Sequence, residues 1–313
     1  MIELYLKASL YPEAFQLFED YHSYYENAAN IKFINLCGRI YYKKSEWDKA
    51  LTYFLKSEQI LIEVGDKAGL GTTYNDMGRI YYKKGQWDKA LAYFLQSEQI
   101  CLEVCNQYGL GRSYNNIGFI YYNKGQWDKA LTYFLKAEKI RFEAGDKAGL
   151  AYTYNNIGRI NYKKGDLDKA LAYYLKSEQI KIEVGDRAEL GPTYLGVGLI
   201  YFKKGELDKA LMYFFKSEQI RIEVRDLSGL GWTYFNIGTF YLEKQNKKKA
   251  DEYFILAGYI AKTLGMKYEV SYKWLSELNP LIEEMGEGRF MEEGKRLLEE
   301  RMKDVSANLN PKD

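Results

Sequence analysis

Apolar and small residues return along this chain at two periods. The short one is helical: Tyr74, Gly78 and Tyr81 share one face at about 100° per residue, with Met77 beside them. The long one is forty residues: "YNDMGRIYYKKGQWDKALAYF" starts at Tyr74, close copies start at Tyr114, Tyr154 and Tyr194, and weaker ones at Ile34 and Tyr234. Each copy predicts two helices. The first, such as Ala68 to Lys84, ends at "KKG", where Gly85 suits a left-handed position just past a helix and the lysines suit its C-terminus. The second, such as Trp87 to Cys105, opens with Asp88 in its first turn. It ends near "GD" at Gly65-Asp66, Gly145-Asp146 and Gly185-Asp186, where the aspartate can cap the next helix. Gly78 leaves room for the second helix to approach, opposite Ala90, with Phe94 one turn on.

The string Tyr-x2-Met-Gly-x2-Tyr followed by Ala-x3-Phe recurs in register at Gly38/Ala50/Phe54, Gly78/Ala90/Phe94 and Gly118/Ala130/Phe134. It continues at Gly158/Ala170/Tyr174, Gly198/Ala210/Phe214 and Gly238/Ala250/Phe254. This pattern resembles the tetratricopeptide repeat (TPR). The resemblance implies an all-α, right-handed superhelical solenoid of helix-turn-helix repeats. The period of forty departs from the usual TPR period, and the usual proline after the second helix is missing. The long unit looks like the arrays of Pins/LGN-type adaptors and of bacterial TPR signalling proteins, including the peptide-sensing Rap-type regulators.

The expected organisation is an N-terminal partial repeat or cap over 1–26, with Ala14 and Phe18 in the Ala/Phe places, and six repeats over 27–266. Capping helices follow over 267–303, one of them starting at Asn279-Pro280, and a disordered tail over 304–313.

Composition mainly removes alternatives. With 45 basic and 43 acidic residues the net charge is +2, not the footprint of a nucleic-acid binder. The only histidine, His22, stands outside the regular repeats, which removes Ser-His-Asp and zincin chemistry. "GLG" at Gly69, Gly109 and Gly229 follows the repeat period inside an all-helical unit, so it is not read as a dinucleotide fingerprint. No constellation suits catalysis, and neither a cofactor nor a metal is expected. Cys37, Cys101 and Cys105 are an odd set that fits a reducing compartment; Cys101 and Cys105 could share a helix face, as packing residues or as a redox or metal pair. The first residues lack a signal-peptide pattern and no stretch is apolar enough to span a bilayer, so a cytoplasmic protein is expected.

In TPR proteins the first helices line a concave groove that holds ligands. The positions equivalent to 72, 75, 79, 82 and 83 form a stripe roughly opposite Gly78 and Tyr81. One row reads Asn35, Asn75, Asn115, Asn155, Leu195, Phe235, and the next Arg39, Arg79, Phe119, Arg159, Leu199, Thr239. A third reads Tyr42, Tyr82, Tyr122, Tyr162, Phe202, Leu242. Amides can bind peptide units in two directions, and guanidiniums favour carboxylates. The expectation is a groove for a peptide, its acidic part over repeats one to four and its apolar anchors near Leu195, Leu199, Phe202 and Phe235. The same amides could instead bond between helices, and the tyrosines could pack between repeats. The row Trp47, Trp87, Trp127 reads as packing.

The leading function is thus a non-catalytic interaction scaffold for a protein or peptide partner, acidic with apolar anchors, without nucleic acid or membrane and with self-association left open. A peptide-sensing regulatory module is the alternative. RNA binding by paired helices ranks below both on charge and period, and an enzyme last.

Overall fold

The computed structural model describes residues 31–265 and 272–309; the N-terminal partial repeat, with His22, lies outside them. The described residues are all α, as the periodicity requires. They form α1 (Ile31–Lys43), α2 (Trp47–Glu63), α3 (Lys67–Lys83), α4 (Trp87–Glu103), α5 (Gln107–Asn123), α6 (Trp127–Glu143) and α7 (Lys147–Lys164). Then come α8 (Leu167–Val184), α9 (Leu190–Lys203), α10 (Leu207–Glu223), α11 (Leu227–Glu243), α12 (Lys247–Thr263), α13 (Tyr272–Met285) and α14 (Glu287–Leu309). The chain divides within α7 into two compact units, residues 1–153 and 154–313. In each, consecutive helices pair as antiparallel hairpins and each hairpin packs on the next.

The turns are made by local chemistry. Gly65 and Gly85 take φ of +71° and +73°, and the backbone N–H groups of Gly65 and Asp66 close on the carbonyls of Ile62 and Leu61. Asp66 and Asp146 cap the following helices, each accepting from the N–H three residues on at 2.9 Å. The third expected cap, Asp186, is not formed. Its repeat carries Pro192, and α9 starts at Leu190 instead of the equivalent of Lys67. A helix begun at Arg187 would put Pro192 in its interior, without an N–H and against the carbonyl of residue 188.

Inside each hairpin, the repeat glycine receives a ring. A Cβ on Gly78 would stand 2.6 Å from Cε1 of Phe94, and one on Gly118 would stand 2.8 Å from Cε1 of Phe134. At these two positions the close approach is thus to the phenylalanine rather than to the alanine. Ala90, Phe94, Ile117 and Ile120 make one core cluster, and Ala170, Tyr174, Val197 and Ile200 an equivalent one in the second unit.

Three expectations need correction. Pro280 does not start a helix but lies inside α13, between the buried Leu278 and Leu281. Helix α14 continues past position 304 to Leu309, with Val305 packed on the core, so the segment expected to be disordered is helical that far. Cys105 shares no helix face with Cys101: it follows α4 and occupies the left-handed turn position at φ +53°. Of the tryptophans, Trp47 packs in a core cluster, while Trp87 and Trp127 stay partly exposed.

Candidate functional site

In the first unit, α1, α3, α5 and the start of α7 surround a recess of about 330 Å³ lined by Tyr42, Arg79, Tyr82, Asn116, Phe119 and Tyr152, among others. The Arg79 guanidinium lies over the Tyr42 ring, 4.7 Å from its centroid. Its Nη1 is 3.3 Å from Oδ1 of Asp76, and Nη2 of Arg112 is 3.4 Å from the same oxygen. Two guanidiniums thus share one buried carboxylate, and the wall keeps an excess of positive charge. The opposite wall is aromatic. Tyr82 meets Phe119 edge-on at 5.4 Å, Phe119 stacks on Tyr122 at 6.1 Å, and Asn123 donates to the Tyr82 hydroxyl at 3.1 Å. A group with a carboxylate beside an apolar surface matches this wall chemically.

The arginine and tyrosine rows of the expected site therefore meet here through Tyr42, Arg79 and Tyr82, with Tyr122 stacked behind Phe119. The asparagine row belongs to the packing. Asn75 is 2% exposed, donates to Ser113 Oγ at 3.3 Å and accepts from Asn116 at 3.0 Å. Asn115 meets Thr153 Oγ1 at 2.9 Å, and with its oxygen turned toward Arg141 it accepts from that guanidinium at 3.0 Å. Asn155 is buried and accepts from Thr193 Oγ1 at 3.1 Å. These amides tie one hairpin to the next and are not offered to a ligand. Asn35 is half-buried, with Oδ1 enclosed, and Arg39 is exposed on α1.

In the second unit Arg159 and Tyr162 are half-buried, and Nζ of Lys203 lies 4.5 Å from the Tyr162 ring centroid. Leu195, Leu199 and Phe202 are half-buried and pack against the core of the last hairpins, so each shows part of an apolar side chain. Phe235 is a correction: it is 6% exposed, its ring tilted against that of Phe254 at 5.5 Å, and belongs to the core rather than to an anchor surface.

Sequence reasoning missed Asp76 and Asn116, and it held Arg112 and Tyr152 only as unnamed equivalents of position 72 on the stripe. The signal was present in two rows that vary from copy to copy: Leu36, Asp76, Asn116, Asn156, and Thr72, Arg112, Tyr152, Pro192. It also missed a row of buried cations at the ends of the second helices. There Leu61 and Cys101 give way to Arg141, Lys181 and Arg221. Arg141 bonds the Gly149 carbonyl, and Arg221 pairs with Asp226 at 2.5 Å. Lys181 Nζ donates to the Glu189 carbonyl and to Thr193 Oγ1, both at 2.8 Å, and burial pulls the amine down to about 8.

Among the described residues, no group of three His, Cys, Asp or Glu side chains could hold a metal ion, and no helix is long and apolar enough to cross a membrane.

A search of curated proteins finds no match to this sequence. Solved structures give matches. The apo form of RapI aligns over 85% of this chain and 97% of its own, at 17% identity and a TM-score of 0.65. The Rap conjugation gene regulator of the plasmid pLS20, solved with a Phr peptide, aligns over 91% and 77% at 15% identity and a TM-score of 0.59. A STAND (Signal Transduction ATPase with Numerous Domains) protein with a tetratricopeptide repeat sensor, from Pyrococcus horikoshii, aligns over 90% and 43% at 18% identity and a TM-score of 0.63. Identities this low speak for the fold alone. The tetratricopeptide-repeat family profiles match residues 33–103 and 109–183, and again 233–262. With the glycine–phenylalanine hairpins and the stacked all-α fold, these matches make the chain a member of the tetratricopeptide-repeat family.

Proposed function

We propose that this chain is a non-catalytic interaction module that holds a peptide or a segment of another protein against its first helices. The observation that carries this reading is the recess in the first unit. Arg79 and Arg112 share the single carboxylate of Asp76, next to Tyr42, Tyr82 and Phe119. An acidic side chain or a C-terminal carboxylate would take the unbalanced guanidinium charge, and an apolar neighbour would cover the rings. In the second unit, taken by itself, Leu195, Leu199 and Phe202 each offer part of an apolar side chain to apolar residues of a ligand. The ligand is thus a protein or peptide, acidic with apolar anchors, and neither nucleic acid nor membrane.

Random-peptide display on the full chain tests this. Peptides pairing Asp or Glu with an apolar residue should be enriched, and the enrichment should vanish with Arg79→Glu. Display without an enriched motif, or a motif indifferent to Arg79→Glu, would refute the reading.

A peptide-sensing role is the second reading. It is favoured by the likeness to a Rap regulator solved with a Phr peptide and to a protein with a TPR sensor. Solution scattering with and without an enriched peptide separates the two, since only a sensor has to change shape.

A further inference from the structure

The second helices carry a repeated acidic slot. In the first unit, Glu98 of α4 is half-buried beside Tyr114 and Tyr133, and Nζ of Lys136 lies 5.3 and 4.8 Å from the two ring centroids. In the second unit, Glu178 of α8 stands beside Tyr194 and Tyr213, with Nζ of Lys216 at 5.4 and 4.6 Å from their centroids. Each of these slots is a carboxylate, two tyrosines and a lysine from the same repeat as the rings.

The slot at Glu218 is filled differently. Its rings are Tyr234 and Tyr253, and the place of the lysine is taken by Leu256. The cation comes from the last helix: Nε and Nη2 of Arg301 reach the two Glu218 oxygens at 2.9 and 2.6 Å. Its guanidinium lies 5.7 Å from the Tyr253 centroid and 5.8 Å from that of Phe215. Around it, Phe215, Ile222 and Ile255 join one apolar cluster with Leu298, Met302 and Val305 of α14. So an amphipathic helix with an arginine between apolar residues is seated on this surface within the molecule.

The slot at Glu58 of α2 has the rings, Tyr74 and Tyr93, 5.8 Å apart, but the lysine position is Gln96. Among the described residues no ion pair reaches Glu58. The residues equivalent to Phe215, Ile222 and Ile255 are Leu55, Ile62 and Leu95, which are 42%, 58% and 40% exposed. Carboxylate, rings and apolar flank are thus all present, and among the described residues neither a cation nor a covering helix accompanies them.

We propose that the Glu58 slot docks an amphipathic helix of a partner protein that carries an arginine between apolar residues, seated as Arg301 of α14 is seated at Glu218. A guanidinium suits the slot better than an ammonium because it can face both carboxylate oxygens while lying over a ring. The spacing of Leu55 and Ile62 by two helical turns gives the apolar side of the partner helix a stripe to cover. This surface belongs to the second helices and is separate from the recess of the proposed function.

The test uses the full chain and a labelled synthetic peptide with the sequence of residues 287–309 as the probe, read by fluorescence anisotropy. Saturable binding is expected. Gln96→Lys, which supplies the lysine found in the other slots, should weaken it about tenfold or more, and so should an arginine-to-glutamate change at position 301 of the probe. Gln96→Lys should melt like the wild type, as Lys136 and Lys216 stand at the same place. Leu95→Glu, on an exposed position, gives a second variant with the same expected loss. Absence of saturable binding overturns the proposal, as does binding indifferent to both Gln96→Lys and Leu95→Glu. Binding moved instead by Arg79→Glu overturns it too, by placing the probe in the first-helix recess.

Discussion

Among the described residues, four that are not glycine sit in the left-handed turn position that glycine fills elsewhere: Ser45, Cys105, Arg225 and Gln245, with φ between +53° and +62°. An L side chain there costs about 1 kcal/mol relative to glycine. Cys105→Gly and Arg225→Gly are therefore expected each to raise stability by about 1 kcal/mol, seen as a higher urea midpoint at unchanged slope. The buried cation Lys181 acts with pH. Its amine is pulled down to about 8 by burial, below the usual lysine range. Between about pH 8 and pH 10 the unfolded chain holds this proton and the folded chain releases it, so stability rises with pH across that window. Above it the trend reverses, because burial holds the Tyr213 hydroxyl up to about 12 and the folded chain then keeps a proton the unfolded chain loses. Urea titrations at pH 8 and pH 10 should show the rise, and Lys181→Met should flatten it.

At the scale of the helix, the hairpin depends on a glycine meeting a ring. Gly118→Val would drive branched methyls into Phe134, and a loss of about 3 kcal/mol is expected. Pairing it with Phe134→Leu should cost less than the sum of the single changes, because both act on the same space. Pro192 governs where α9 begins. Pro192→Ala should let the helix start near Arg187 with Asp186 as its cap, and hydrogen exchange of the Leu190 and Gly191 amides should slow. Elements of this kind were legible in the sequence because their causes are local: period, turn glycine and cap lie within a few residues of one another. The candidate site was legible only in part. Asn75 and Arg79 are about 40° apart on the helix, so a wheel cannot tell which faces the next hairpin and which faces out. The structure decides it through Ser113, thirty-eight residues on from Asn75. Asp76 was missed for the same reason, since one of its two guanidinium partners, Arg112, lies in the next copy.

For the molecule as a whole, a stack of repeats adds its stability layer by layer, and its ends need special treatment. In the second unit that treatment is α14. Its Arg301 neutralises Glu218, which is only 3% exposed at its side chain. Arg301→Ala would leave that carboxylate buried and alone, at a cost of about 3 kcal/mol. Hydrogen exchange along residues 290–305 should rise sharply, and an apolar dye should find Phe215 and Ile255. Glu218→Gln in the same background should restore part of the loss. The sequence announced this ending, once the slot is known, by Leu256 and Gly258 in the places of Lys216 and Glu218. Gly258 receives the ring of Phe290, where a Cβ would stand 2.7 Å from Cζ.

The buried row that runs Leu61, Cys101, Arg141, Lys181, Arg221 also bears on how such a chain can be rearranged. Where the row is cationic, the second helix is keyed to the start of the next helix, through the Gly149 carbonyl in its first turn or the Glu189 carbonyl or Asp226 at its cap. Where it is Leu61 or Cys101, no such key exists. Copies that look interchangeable in their consensus are therefore of two kinds. A crossover that joined the end of one kind to the following helix start of the other would strand a charge or waste an acceptor. Blocks exchanged within a kind, or cut at the Gly85 and Gly205 turns, keep each second helix with the segment it bonds, so those are the joints at which this array can be recombined.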